Sequence, residues 1–135
     1  MEDKKIIAMI ARDKNGYGAW IENCQGVYGE GDTVQEAKES LLDGLRLFIE
    51  YNRELPEVLR GNYEIEYHFD TPSFLEYYSN IFTKSALERM TGINQKQLGH
   101  YVSGYRNPSR KTIGKIDNAL HRLSDELSQV RLAVY

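Results

Sequence analysis

Between Thr83 and Leu123 the chain is punctuated so closely that only short helices fit. Ser85-Ala-Leu-Glu-Arg-Met-Thr-Gly92 reads as one helix closed by glycine, and Ile93-Asn94 reads as the turn. Gln95-Lys-Gln-Leu-Gly-His-Tyr-Val-Ser-Gly104 reads as a second helix closed in the same way. Arg106-Asn107-Pro108-Ser109 then leads into a longer helix carrying Ile113, Ile116 and Leu120. Glycine ends helices because it accepts the left-handed conformation, and proline cannot continue one. The result is a helix-turn-helix with a third, supporting helix, the shape that can set one helix in a DNA groove.

Within this stretch Asn94 and Gln97 form an expected cap pair for the second helix. Leu98, Tyr101 and Val102 make its inward face, and Gln95, Lys96, Gly99, His100 and Ser103 fall on the other. Glutamine reads adenine edges, lysine meets guanine or phosphate, and glycine allows close approach. The free amides at the helix start can accept a phosphate oxygen. Arg106, Asn107, Arg110 and Lys111 follow the second helix and suit backbone phosphates better than bases, as does Lys84 at the start of the first helix. His100 is open to three readings: a DNA contact, a solvent-exposed bystander or a metal ligand. No second His or Cys stands at ligand spacing, which disfavours the last.

Charge divides with position. Residues 1–70 carry 8 Lys/Arg against 15 Asp/Glu, a net of −7, and residues 71–135 carry 9 against 5, a net of +4. An acidic half joined to a basic half suggests nucleic acid at the basic end. Cys24 is alone, which excludes a disulfide framework within the chain and a thiol metal site, and it reads as a buried or idle thiol. The Met1-Glu-Asp-Lys-Lys start has the wrong flanks for a signal peptide, and no apolar run reaches membrane-spanning length. A soluble cytoplasmic protein with no membrane contact is expected.

In the acidic half Ile6–Ala11 is a continuous apolar run that fits a strand buried on both faces. Asp13-Lys-Asn-Gly16 is a turn, and Tyr17–Glu22 returns to complete a hairpin. Asn23-Cys-Gln-Gly26 turns again, and Val27-Tyr28 pairs only briefly before Gly29 and Gly31 end it. A capping box starts the next helix, with Thr33 capping an amide three residues ahead and Glu36 reaching back to the Thr33 amide. Val34, Ala37, Leu41, Leu45 and Phe48 then form one apolar stripe. Pro56 and Gly61 bracket a loop. Tyr63–Asp70 alternates strictly, with Tyr63, Ile65, Tyr67 and Phe69 on one face and Glu64, Glu66, His68 and Asp70 on a wet one. The fold class is therefore α+β, a β-β-β-α-β unit over 1–70 followed by an all-α domain over 71–135. No catalytic residue, cofactor or metal site is expected. Carboxylates on a wet strand face do not make an acid–base pair, and Gly26, Gly29 and Gly31 form no dinucleotide fingerprint but serve turns.

Asp13-x-x-Gly16-Tyr17, then Gly26, and Gly31-Asp32-Thr33-x-x-Glu36-Ala37 before an amphipathic helix resemble the HicB antitoxin family over roughly residues 5–70. Glu22 and Gln25 stand where that family commonly has prolines, and Val27 stands at a usual cysteine. The resemblance implies a partial ribonuclease-H-like domain, ribonuclease-like in shape but not in activity, that binds a small HicA toxin, an mRNA-cleaving protein. An acidic balance suits such a partner, which must itself bind RNA. The residues that face the toxin are unknown from sequence. Residues 83–123 resemble an Xre/Cro-type helix-turn-helix, through Gly92-Ile-Asn, Leu98, Tyr101, Gly104, the Arg-Asn-Pro-Ser exit, Ile113, Ile116 and Leu120. Glu88 departs from it, standing where a small alanine usually lets the helices approach.

Thr71-Pro72-Ser73 begins a further helix, Phe74–Asn80, whose Phe74, Leu75 and Tyr78 can pack on the helices after it, and the short junction implies close coupling of the domains. In the last helix Ile113, Ile116, Leu120 and Leu123 support the helix-turn-helix. Leu127, Val130 and Val134 continue the spacing beyond what one such domain needs and suit a second copy. The expected function is an antitoxin that neutralises a HicA-like toxin and represses its own operon by binding operator DNA as a homodimer or higher assembly. One rival is a stand-alone transcription regulator whose first domain binds another protein or a ligand. A weaker rival is a nuclease using the ribonuclease-H-like shape.

Overall fold

The computed structural model describes residues 4–134. The outer bounds expected for the two domains, residues 1 and 135, and Met1, Glu2 and Asp3 of the charged start lie outside the described residues. The chain is α+β, a four-stranded sheet with one long helix followed by helices alone. It divides into two compact units between Ser73 and Phe74.

The first unit runs β1 (Lys4–Asp13), β2 (Gly16–Ile21), β3 (Tyr28–Gly31), α1 (Val34–Tyr51) and β4 (Tyr63–Phe69). The sheet order is β3-β2-β1-β4, antiparallel except that β4 runs parallel to β1. Tight turns join the antiparallel strands, whereas the parallel pair needs a long crossover, which α1 supplies. At the first turn the Asn15 N–H donates to Asp13 Oδ1 at 2.8 Å. Gly26 takes φ +97° in the second, a conformation side chains resist.

Strand register settles the faces. Ile6, Ala8 and Ile10 stand beside Ile65, Tyr67 and Phe69 of β4, and Ala8 and Ile10 also pair with Ile21 and Ala19 of β2. Against this face α1 buries Val34, Ala37, Leu41 and Leu45, while Phe48 is half-buried. β1 is therefore not buried on both faces as expected. One helix layer covers one side, and Ile7, Met9 and Ala11 on the other stay half-buried.

Two glycines also differ from expectation. Gly29 lies inside β3 rather than ending it, and Gly31, which does end it, packs on α1 as well. A Cβ at Gly29 would stand 2.7 Å from Leu41 Cα, and one at Gly31 would stand 2.7 Å from the Ala37 nitrogen. Their missing side chains let α1 lie directly on the strand. The helix start is close to the expected box: Thr33 Oγ1 accepts the Glu36 N–H at 3.1 Å. Glu36 reaches one residue further back than expected, accepting the Asp32 N–H at 2.8 Å. β4 alternates as read, but its apolar side chains are only half-buried because β4 is an edge strand and α1 packs chiefly on β3 and β2. Lys38 of α1 covers Tyr67, its Nζ 4.5 Å from the ring centroid. In the Pro56–Gly61 loop a 3-10 turn, Glu57–Leu59, buries Leu59.

The second unit follows from within α2 (Thr71–Tyr77), which the division crosses. α2 begins three residues before the expected Phe74. Asp70 Oδ2 accepts the Ser73 N–H at 3.2 Å, and Pro72 suits a first helical turn. A 3-10 turn, Tyr78–Asn80, continues it. Then come α3 (Lys84–Thr91), α4 (Gln95–Ser103) and α5 (Arg110–Ser128). Leu75, Leu87, Ile93, Leu98, Tyr101 and Ile116 form the core, with Phe74, Phe82, Val102 and Leu120 packed against it.

α5 departs from its reading at both ends of the stripe. Ile113 is 40% exposed, and Ala119 is buried instead. The helix stops at Ser128, so Val130 and Val134 lie beyond it. The Gln129 and Val130 amides donate to Glu126 and Leu127 carbonyls in tightened closing bonds. Apolar spacing holds a helix only where its face is buried, and Leu127 is 57% exposed.

Candidate nucleic-acid interface

The caps that define α3 and α4 are local chemistry. Thr83 Oγ1 accepts the Ala86 N–H at 3.0 Å, and Asn94 Oδ1 accepts the Gln97 N–H at 2.8 Å. Both helices end on left-handed glycines, Gly92 at φ 78° and Gly104 at φ 79°. The expected Asn94–Gln97 pair forms in one direction only. Gln97 Nε2 turns away and donates to the Tyr101 hydroxyl at 2.6 Å.

α4 sorts its side chains as the sequence implied. Leu98 and Tyr101 are buried and Val102 half-buried, while Gln95, Lys96 and Ser103 are exposed and Gly99 and His100 half-buried on the other side. Lys84 runs from the start of α3 to the middle of α4, where a Cβ on Gly99 would meet its Nζ at 3.5 Å. His100 packs on Tyr105 with ring centroids 5.0 Å apart, and the Arg106 guanidinium lies 5.9 Å from the same Tyr105 ring. Arg110 and Lys111 are exposed in the first turn of α5, and Asn107 is exposed just before it. The structure thus brings Lys84 to Gly99 and Arg106 to His100. Asn94 and Ser103 have their oxygens engaged at the helix ends. Ser103 Oγ donates to the His100 carbonyl at 3.2 Å and accepts the Tyr105 N–H at 3.3 Å. Exposed ammonium, guanidinium and amide donors on one short helix and the turn after it can meet phosphates and base edges.

Two features escaped the sequence reading here. Tyr105 is 72% exposed between His100 and Arg106. Glu88, the departure from a small alanine, is half-buried and accepts a hydrogen bond from Gln95 Nε2 at 3.1 Å. The i+7 interval gave no sign of that bond, because it crosses the turn between two helices.

A third missed feature is the uncovered sheet face of the first unit. Register aligns Tyr28, Trp20, Met9 and His68 in one row across all four strands. Trp20 is 36% and Tyr28 70% exposed, and Glu22, Glu30 and Glu64 are exposed as well. Glu66 accepts from His68 Nε2 at 2.7 Å and pairs with Lys5 at 3.2 Å, and these partners hold its carboxyl below the usual range. Elsewhere in the unit, burial pushes the Cys24 thiol up, which disfavours a nucleophilic thiolate. Among the described residues no group of three His, Cys, Asp or Glu side chains could hold a metal ion, and no helix is long and apolar enough to cross a membrane.

Residues 79–127 match the family described as Helix-turn-helix. The match spans α3 and α4 and all but the last residue of α5. This part of the chain is an Xre/Cro-type helix-turn-helix domain, the DNA-binding module of transcription regulators. Comparison with curated proteins and with solved structures gives no match.

Proposed function

We propose that this chain is the antitoxin of a HicAB-like type II toxin–antitoxin pair, in which residues 1–70 bind and silence a small mRNA-cleaving toxin and residues 71–135 bind operator DNA. The observation that carries the reading is an acidic unit with an uncovered apolar sheet face joined to a basic helix-turn-helix domain. The β-β-β-α-β order is the one the HicB resemblance implies. The Tyr28–Trp20–Met9 row, with the exposed Glu22, Glu30 and Glu64 in the same unit, suits a basic protein partner.

On the DNA side Gln95 meets base edges, Lys96 meets a phosphate, and Gly99 lets the backbone approach with Lys84 alongside. Arg106, Asn107, Arg110 and Lys111 meet phosphates. His100 contacts DNA from its place against Tyr105, and Asn94 and Ser103 approach at the two ends of α4. Ile113, Leu127 and Val130, all exposed, support a homodimer that reads two half-sites. No catalytic step and no cofactor enter the proposal, and the protein acts in the cytoplasm.

The family match covers only the helix-turn-helix part, which favours a stand-alone regulator as the second reading. Purification of the tagged chain from its native host separates the two. The antitoxin reading expects a small basic protein in near-equal amount, whose RNA cleavage stops when the chain is added and resumes with Trp20→Asp or Tyr28→Asp. The chain recovered alone under every growth condition would leave the stand-alone regulator.

A further inference from the structure

Gln95 is the first residue of α4, and its exposed side chain has a partner on α3. Nε2 donates to Glu88 Oε2 at 3.1 Å. An ionised carboxylate can only accept, so the partner fixes which end of the amide faces it. Nε2 must point at Glu88, and one of its two protons is committed there. What Gln95 presents elsewhere is Oε1, an acceptor, and the second Nε2 proton, a donor.

One acceptor beside one donor complements adenine, whose major-groove edge offers the N6 amino group beside N7. Guanine presents O6 and N7, two acceptors, and would set O6 against Oε1. The Glu88 carboxylate adds a negative charge beside any acceptor-rich edge.

We infer that Glu88 is a positioning residue that locks the Gln95 amide and so selects adenine over guanine at the base that Gln95 meets. The inference rests on the DNA-binding reading of α4 and does not depend on what the first unit binds. A carboxylate with only a structural role in the α3–α4 pair would change affinity for all sequences alike, whereas a positioning carboxylate changes one position.

The test is selection of duplexes from a randomised pool by the full chain, followed by sequencing, for the unaltered protein and for Glu88→Ala, Glu88→Gln and Gln95→Ala. Circular dichroism of each variant confirms folding. The unaltered chain is expected to prefer adenine at one position of each half-site by about 10-fold, as a bidentate pair provides. Glu88→Ala frees the amide to turn and brings that preference below about 3-fold, with the other positions kept. Glu88→Gln, whose amide can either donate or accept, falls between. Gln95→Ala loses the same position, and adding Glu88→Ala to it changes nothing further. Unchanged preferences in Glu88→Ala, or a uniform fall at every position, would overturn the role of Glu88. A pool that shows no enrichment with the unaltered chain would instead overturn the DNA-reading assignment itself.

Discussion

At the scale of single residues, the uncovered sheet face offers a direct check through Glu66. The hydrogen bond from His68, and after it the bond and charge of Lys5, lower its carboxyl pKa from the ordinary 4.5. A lowered folded value means that the stabilisation is present above the unfolded carboxylate's pKa and is lost as pH falls through the folded one. The group is exposed, so solvent screens the pair and the effect on stability is small. The expected result is a side-chain NMR titration of Glu66 with a midpoint below 4.5 that moves back toward it in His68→Ala. The alternation of Tyr63–Asp70 made Glu66 and His68 legible as neighbours on one wet face. Lys5 was not legible as a partner, because only the parallel pairing of β1 with β4 brings it there.

At the scale of elements, two glycine substitutions should have opposite signs. Gly29→Ala forces a methyl group into the Leu41 backbone, and chemical denaturation should show a loss of about 1–3 kcal/mol, as overpacking does. Gly114→Ala meets nothing within 4 Å in the second turn of α5 and should gain about 0.5–1 kcal/mol by reducing the unfolded chain's freedom. Leu98→Ala, at a fully buried position in the second unit's core, should cost about 2–5 kcal/mol. Glycine was read correctly where it ends a helix, at Gly92 and Gly104, because the αL conformation there is a local requirement. It was misread at Gly29, inside β3, and at Gly31 the packing role was missed. Their reason for being glycine is close contact with the helix that follows, at Ala37 and Leu41 for Gly29 and at Glu36 and Ala37 for Gly31, and a turn-forming composition cannot distinguish that case.

At the scale of the whole molecule, the proposed DNA and self-association surfaces are separable by measurement. If Lys96 and Arg110 meet phosphates, Lys96→Ala and Arg110→Ala should each reduce the slope of log affinity against log salt by about 1, read by fluorescence anisotropy across a salt series. Unchanged slopes would move the DNA surface elsewhere. If the exposed apolar residues of α5 join two copies, sedimentation should find a dimer that Leu127→Asp converts to monomer. The sequence stripe suggested such a surface along one continuous helix. The structure ends α5 at Ser128, which leaves Leu127 as the last stripe residue on the helix and puts Val130 beyond it.

What the sequence determined by itself is whatever depends on near neighbours along the chain. It specified the α+β order, the helix-turn-helix with its glycine stops, the Thr33 cap, the alternating β4 and the division of charge between the two halves. Each follows from interactions within a few residues, where composition and spacing act directly. The tertiary structure alone decided which face of β1 is covered, why β3 carries glycines, that Tyr28, Trp20, Met9 and His68 share a row, and that Glu88 holds Gln95. These follow from strand register and from helices meeting across a turn, and side chains distant in sequence become neighbours only when the chain has folded.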